Sequence, residues 1–243
     1  MKISLVIPAY NETRLLPRLL DTVAQARTKY LHGADAVEVI VADNGSTDGT
    51  PDLALARGCR VAHIPERRIA KARNGGAQIA GGDILCFVDA DMQIHPETFN
   101  AVANALGRSD IVAGATGVRM ERWSVGIAFT YIAFMPLIWF TKMDTGVVFC
   151  RREDFHSVGG YDDRLEIAED VAFLWSLRQL GKARNQSLAR LRSAKAVTSM
   201  RKFDQHGDWH YFTQIMPLSV PALFSAEART SLAKRYWYVK DRY

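Results

Sequence analysis

Asp89-Ala90-Asp91 is the stretch of this chain with the most chemistry in the fewest residues. The triplet ends an apolar run, and in an extended strand residues two apart point to the same side. Two carboxylates that close repel each other unless a cation or hydrogen-bond donors lie between them. A hard divalent ion, with phosphate and water as its other ligands, relieves that repulsion. The competing reading is a solvated turn with two capping acids. Asp43 also ends an apolar run, just before a Gly-containing turn. Such a carboxylate either closes an Asx turn or accepts a base N–H or a ribose hydroxyl. Arg73, within Ala70-Lys71-Ala72-Arg73-Asn74-Gly75-Gly76-Ala77, offers a cation for phosphate or an ordinary exposed helix face. Gly159-Gly160-Tyr161-Asp162 reads as a tight turn against a ligand or against backbone. Glu169-Asp170 supplies either a reactive acid pair or a helix cap.

The elements that must position these residues alternate. Ile3 to Ile7, Val37 to Ala42, Arg60 to Ile64 and Ile84 to Val88 are short apolar runs that read as buried strands. Between them, Glu12 to Arg27 and Ile69 to Ala80 carry apolar residues at helical spacing. Thr50-Pro51 marks another helix start, and Pro96 opens one that runs to Leu106. A β-α-β-α-β-α-β order predicts an α/β fold, a mostly parallel sheet with helices on both faces. Ligands of such sheets sit beyond the carboxyl ends of the strands. Pro8 to Glu12, Asp43 to Asp48 and Asp89 to Asp91 therefore converge on one edge. The second half is less regular: strands are expected at Asp110 to Ala115 and Gly146 to Cys150, and a helix at Glu169 to Leu180. The pattern weakens from about Phe203.

The 243 residues suit one large α/β domain, or one with a small appendage. A net charge of +5 suits phosphate-bearing ligands or an anionic surface and is too weak to argue for nucleic acid. Cys59, Cys86 and Cys150 are scattered, which implies no disulfide framework. The N-terminus enters a strand at once, so a cytoplasmic protein is expected. Val125 to Phe140 is uncharged and rich in large apolar residues. It is shorter than the roughly 20 residues that span a bilayer, and Pro136 should break a straight helix. Arg119, Arg122 and Trp123 before it, Lys142 after it, and the basic-aromatic tail Lys234-Arg235-Tyr236-Trp237-Tyr238 suggest an interfacial segment. A core helix or a homodimer contact is the alternative.

Taken together, Ile7-Pro8-Ala9-Tyr10-Asn11-Glu12, Asp43 to Thr50, Ala72-Arg73-Asn74-Gly75-Gly76, Asp89-Ala90-Asp91, Gly159 to Asp162 and Glu169-Asp170 resemble, in order and spacing, family 2 glycosyltransferases of the GT-A fold. The resemblance covers about Lys2 to Lys202, with residues 203–243 as a C-terminal extension. It implies transfer of a sugar from a UDP- or GDP-type donor to an acceptor hydroxyl, dependent on Mg2+ or Mn2+ and inverting. By the same resemblance Pro8, Tyr10, Glu12 and Ala90 line the nucleotide-sugar pocket and Asp43 holds the base. Arg73 contacts the base or diphosphate, Asp89 the ribose, and Asp91 the metal. Asp170 is the general base, with Glu169 beside it. Arg201 and Lys202 fall where such enzymes carry a mobile basic loop. His206 is either a third metal ligand or a surface residue. The acceptor is unidentified, and a lipid-linked one at the inner face of the membrane accords with the 125–140 run. Two rivals share the sheet: a sugar-phosphate nucleotidyltransferase, which should carry a Gly-rich, Arg-containing loop after the first strand, and a non-catalytic nucleotide-sugar-binding module.

Overall fold

The computed structural model describes residues 1–141, 146–166 and 168–215. The alternation seen in the sequence is real. The first half runs β1 (Ile3–Ala9), α1 (Leu16–Lys29), β2 (Val37–Asp43), α2 (Thr50–Ala56), β3 (Arg60–His63), α3 (Ile69–Gln78) and β4 (Ile84–Phe87). The second runs β5 (Met92–Gln93), α4 (Thr98–Leu106), β6 (Ile111–Met120), α5 (Val125–Thr141), β7 (Val148–Arg151), α6 (Arg152–Ser157), α7 (Glu169–Ala183), β8 (Ser187–Thr198) and α8 (Arg201–His206).

These strands form one sheet in the order β3-β2-β1-β4-β7-β6-β8-β5. The half from β3 to β4 is parallel throughout. Beyond β4 the sheet is mixed: β7 is antiparallel to both neighbours, β6 and β8 are parallel, and β5 is antiparallel to β8. Strand alternation divides the core. Ile3, Leu5 and Ile7 face α1 and α4 through Leu16, Leu19, Phe99 and Val102. Val6 and Ile40 face α3 and α7 through Ala72, Phe173 and Leu177. Each fully buried aliphatic or aromatic side chain contributes on the order of 1.5–3 kcal/mol relative to exposure, so both faces are needed.

Gly76 seats α3 deeply. A Cβ there would press into Val6 Cγ1 on β1 and lie 3.3 Å from Ala42 Cβ on β2. The Gly75-Gly76 pair is thus a packing contact that lets helix approach sheet. One expectation needed revision. Helix α5 runs as one element through Pro136, although an internal proline forfeits a backbone hydrogen bond. Helix α8 covers residues 201–206, and its Phe203 is buried with Ile127 and Met200. Lys142 and the 234–238 tail lie outside the described residues.

Candidate active site

The loops that follow β1 and β2 are held to each other by side chains. Asn11 takes a left-handed backbone, φ 51°, and its Oδ1 accepts the Thr47 backbone N–H at 2.8 Å. Its own N–H donates to Ser46 Oγ at 3.0 Å. Thr50 Oγ1 accepts the Glu12 N–H at 2.8 Å, and Thr13 Oγ1 donates to Asp48 at 2.9 Å. Asp43 is buried at the end of β2, where its Oδ1 accepts the Ser46 N–H at 3.2 Å. That is the Asx turn of the plainer reading, and Oδ2 lies 3.7 Å from His63 Nδ1. Pro8 and Tyr10 are half-buried, and the Arg67 guanidinium lies 3.6 Å from the centre of the Tyr10 ring.

Asp89 and Asp91 are not on a strand. Residues 88–91 leave β4, and the Met92 N–H donates to the Asp89 carbonyl at 3.1 Å, closing a turn. The alternation expected from a strand therefore does not operate, and the two carboxylates meet different cations. Asp89 Oδ1 accepts from Arg73 Nη2 at 2.8 Å, whereas Asp91 Oδ2 accepts from Arg201 Nη2 at 3.1 Å. Ala90 is buried between them. Arg201 Nη1 also donates to both Glu12 oxygens, at 3.0 and 2.9 Å. One arginine thus joins the β1 loop to the Asp91 turn.

The second cation lies deeper. The Arg73 side chain is 4% exposed, and Nη1 reaches Glu169 Oε1 at 2.7 Å and Asp170 Oδ1 at 3.0 Å. Arg73, expected against the base or diphosphate, places its guanidinium on three protein carboxylates. Asn74 receives the Tyr161 N–H on Oδ1 at 2.9 Å and returns Nδ2–H to the Tyr161 carbonyl at 2.8 Å. Gly160 has φ 73°, and a Cβ there would lie 2.7 Å from Asn74 Oδ1. The tight turn at Gly159-Gly160 is therefore made against protein. Tyr161 stacks on Phe173 at 4.2 Å, with the Arg73 guanidinium 5.1 Å from its ring centre.

Charge sets the ionisation of this cluster. Burial, with the neighbouring Glu169 and Asp89, pushes Asp170 up to about 7 against the opposing pull of Arg73. Burial likewise pushes Asp91 up to about 6, with Arg201 opposing and Asp89 and Glu12 adding. Asp170 lies in the first turn of α7, where the helix dipole favours an anion. The residue before that helix, Ala168, is left-handed at φ 62°. This conformation costs an L-residue roughly 1–2 kcal/mol, and such strain tends to persist at functional sites.

The donor set suits a hard cation. Asp91 presents a carboxylate among Glu12 and Asp89, and Arg201 shows that positive charge is stabilised there. Among the described residues no three His, Cys, Asp or Glu side chains form a ready-made cage. A single carboxylate suffices where phosphate oxygens and water complete the shell. His206 is exposed at the end of α8, its ring 5.8 Å from that of His210. Sequence reasoning missed β8, which delivers Arg201, and the role of Asn74.

Known proteins share this fold. The model of "Glycosyl transferase family 2" matches residues 4–146. A validoxylamine A glucosyltransferase of Streptomyces hygroscopicus subsp. jinggangensis is 36% identical over 109 residues, which is 42% of this chain and 25% of that protein. The chain thus spans about a quarter of that relative. A PGL/p-HBAD biosynthesis glycosyltransferase of Mycobacterium bovis is 28% identical over 180 residues, covering 70% of this chain and 67% of the relative. Among solved structures, a Pyrobaculum calidifontis mannosyltransferase in complex with GDP-Man and Mn2+ superposes with TM-score 0.64 at 20% identity, covering 96% of this chain and 79% of the other. S. aureus TarS 1-349 with UDP-GlcNAc superposes with TM-score 0.61 at 19% identity, covering 82% and 59%. Those likenesses give the GT-A fold, and the sequence match over more than half of the chain gives the family: this chain belongs to glycosyl transferase family 2.

Proposed function

We propose that this chain transfers a sugar from a nucleoside-diphosphate sugar, of UDP or GDP type, to an acceptor hydroxyl, with a divalent cation and inversion at the anomeric carbon. One observation carries the reading. Asp170, half-buried and pushed up to about 7, is tied through Arg73 to Asp89 at the strand edge where nucleotides bind. A base poised near neutral pH thereby stands beside the donor side of the pocket.

Each side chain then has a task. Pro8, Tyr10, Glu12 and Ala90 wall the nucleotide-sugar pocket, and Asp43 receives the base. Asp89, at 44% the most exposed of the site's carboxylates, receives ribose hydroxyls. Asp91 would hold Mg2+ or Mn2+ together with diphosphate oxygens, and His206 is a further candidate ligand. When bound, that cation offsets charge on the leaving nucleoside diphosphate. Asp170 accepts the proton from the acceptor hydroxyl as its oxygen attacks the anomeric carbon and the bond to the diphosphate breaks. Arg201 and Lys202 lie on α8, within reach of the same edge. Neither rival gains support: the β1 loop is Ala9-Tyr10-Asn11-Glu12 rather than Gly-rich, and the acids that catalysis needs are assembled. Hydrolysis of UDP-glucose, UDP-N-acetylglucosamine and GDP-mannose, with Mn2+ and with chelator, tests the reading. Turnover of none, or turnover indifferent to chelator, sinks it in whole or in its metal half.

A membrane-borne, lipid-linked acceptor, met by a cytoplasmic protein at the inner face, is the second part of the proposal. Trp123, Val125, Phe129, Ile132 and Trp209 are all about half exposed or more. They adjoin α8 through the Ile127-Met200-Phe203 contact, so the apolar face lies one helix from Asp91. Arg122, although exposed, pairs with Asp204 and Asp208. No described helix is long and apolar enough to cross a membrane. Sedimentation with anionic vesicles, beside light scattering for a homodimer through 125–140, decides. Dimers without vesicle binding overturn the membrane reading.

A further inference from the structure

Resting on that transferase reading, we propose that Arg73, with Asn74 beside it, is a positioning residue of the reaction: it fixes the acid pair of α7 against the Asp89 turn and does not touch the donor. Three observations converge on this.

The first is the engagement of the guanidinium by protein carboxylates. Its two terminal nitrogens serve Asp89, Glu169 and Asp170 at 2.7 to 3.0 Å. Nε is buried as well, without a hydrogen-bond partner among the described residues. With the side chain 4% exposed, a diphosphate or a base would have to displace protein carboxylates to reach it. The second is the separation of the clamped residues. Asp89 follows β4, while Glu169 and Asp170 open α7 some eighty positions later. A planar fork can hold two partners at a fixed mutual angle, which an ammonium point charge cannot. The third is Asn74. Its carboxamide takes both backbone groups of Tyr161, as a strand neighbour would. Tyr161 in turn lies under the guanidinium, and its hydroxyl borders Asp170. Two consecutive residues of α3 therefore grip the second half of the site at the turn and at the acids. The depth of α3 is set by Gly76 against Val6.

Electrostatics explain why a cation is needed here. Glu169 and Asp170 are the more buried of the three carboxylates around the guanidinium, and without its positive charge they repel each other and Asp89. Without the cation the acids separate or one takes up a proton, and in either case the base leaves its working geometry or charge state.

The test separates positioning from ligand contact. Arg73→Lys and Arg73→Met are compared with wild type in two readouts: affinity for UDP and GDP, each with Mn2+, and kcat on the donor that wild type hydrolyses. Positioning predicts that Arg73→Met lowers kcat on the order of a hundredfold while nucleotide Kd stays within about threefold. Arg73→Lys should recover part of that kcat, since it restores charge without the fork. If Arg73→Met does not fold, the lysine variant alone decides, through loss of kcat at constant Kd. A nucleotide Kd that weakens in step with the loss of kcat/KM makes Arg73 a donor contact and overturns the proposal. So does a lysine variant with unchanged kcat and Kd. Wild-type protein that binds neither nucleotide sinks the transferase reading itself, and this inference with it.

Discussion

The two halves of the sheet are built differently. From β3 to β4 every pairing is parallel, and the loops beyond are cross-linked by Asn11, Thr13, Asp48 and Thr50. From β7 onward the pairing is mixed, with irregular register between β6 and β8, and large apolar side chains stay exposed on α5. The first half has the features of a rigid pocket for one ligand chemistry. The second presents an exposed apolar surface. The lesson is that arginines join them: Arg73 reaches from α3 to α7, and Arg201 from α8 back to the β1 loop. A site assembled across such a join should fail abruptly at its carboxylates and gradually elsewhere.

The largest effect is expected at Asp91. Asp91→Ala should abolish transfer while the melting temperature stays near wild type; substantial transfer by the variant in excess chelator would disprove the metal assignment. Next comes Asp170→Asn, with kcat lower by roughly 10²–10⁴-fold and donor affinity nearly unchanged. Near-normal turnover would reduce Glu169-Asp170 to a helix cap.

The same residue gives two pH signatures. A base with an apparent value of about 7 must be ionised to work, so kcat/KM should rise with pH through that region. Its effect on stability has the opposite sense. The folded value lies above the ordinary 3.8, so between those values the native state holds the extra proton. Stability from this group is present at low pH and lost as pH rises toward 7. Asp170→Asn should therefore melt higher than wild type at pH 8, and the advantage should shrink toward pH 4. A lower melting point at pH 8 would show that the carboxylate holds the site together rather than straining it.

A smaller effect tests the cross-linked loops. Burial tends to raise Asp48, but hydrogen bonds from Thr50 and Thr13 outweigh it and hold the carboxyl below its ordinary value. Stability from this group is present above the unfolded value and lost as pH falls through the folded one. Asp48→Ala should cost about 1–2 kcal/mol in denaturant unfolding and weaken nucleotide binding more than kcat. Smallest of all, Phe129→Asp with Ile132→Asp should change stability by no more than about 0.5 kcal/mol, as exposed positions do. Vesicle binding should disappear while donor hydrolysis persists. A variant that still sediments with vesicles would move the contact elsewhere.

How much of this was legible in the sequence follows the same division. Each strand of the parallel half is a short apolar run cut off by polar residues, so β1 to β4 and the ligand edge could be read directly. Asp43 and Asp89 to Asp91 were found because they end such runs. β8 was not found, because Ser187 to Thr198 interleaves Arg190, Arg192 and Lys195 and buries little beyond Leu188, Ala194 and Ala196. Its place is fixed by pairing with β6, a long-range contact that no local pattern encodes. Arg73 was noticed and assigned to the base or diphosphate, but its burial was not foreseen, since nothing in a helical run says how deeply the helix is seated. That depth depends on the absence of a side chain at Gly76 facing Val6, which is a tertiary fact. The strand-based argument for Asp89 and Asp91 rests on an alternation that the turn at Asp89–Met92 does not support.

The stitching of the β1 and β2 loops has a consequence for the entropy of binding. Asn11, Thr13, Asp48 and Thr50 are already fixed by one another, so a nucleotide arriving at this edge finds walls whose freedom was lost when the chain folded. Immobilising a free side chain on association costs about 0.5–1.5 kcal/mol each, and here most of that cost was met at folding. Donor binding should then show a heat-capacity change that reflects little more than the ligand's own buried surface, without the larger drop that accompanies folding coupled to binding.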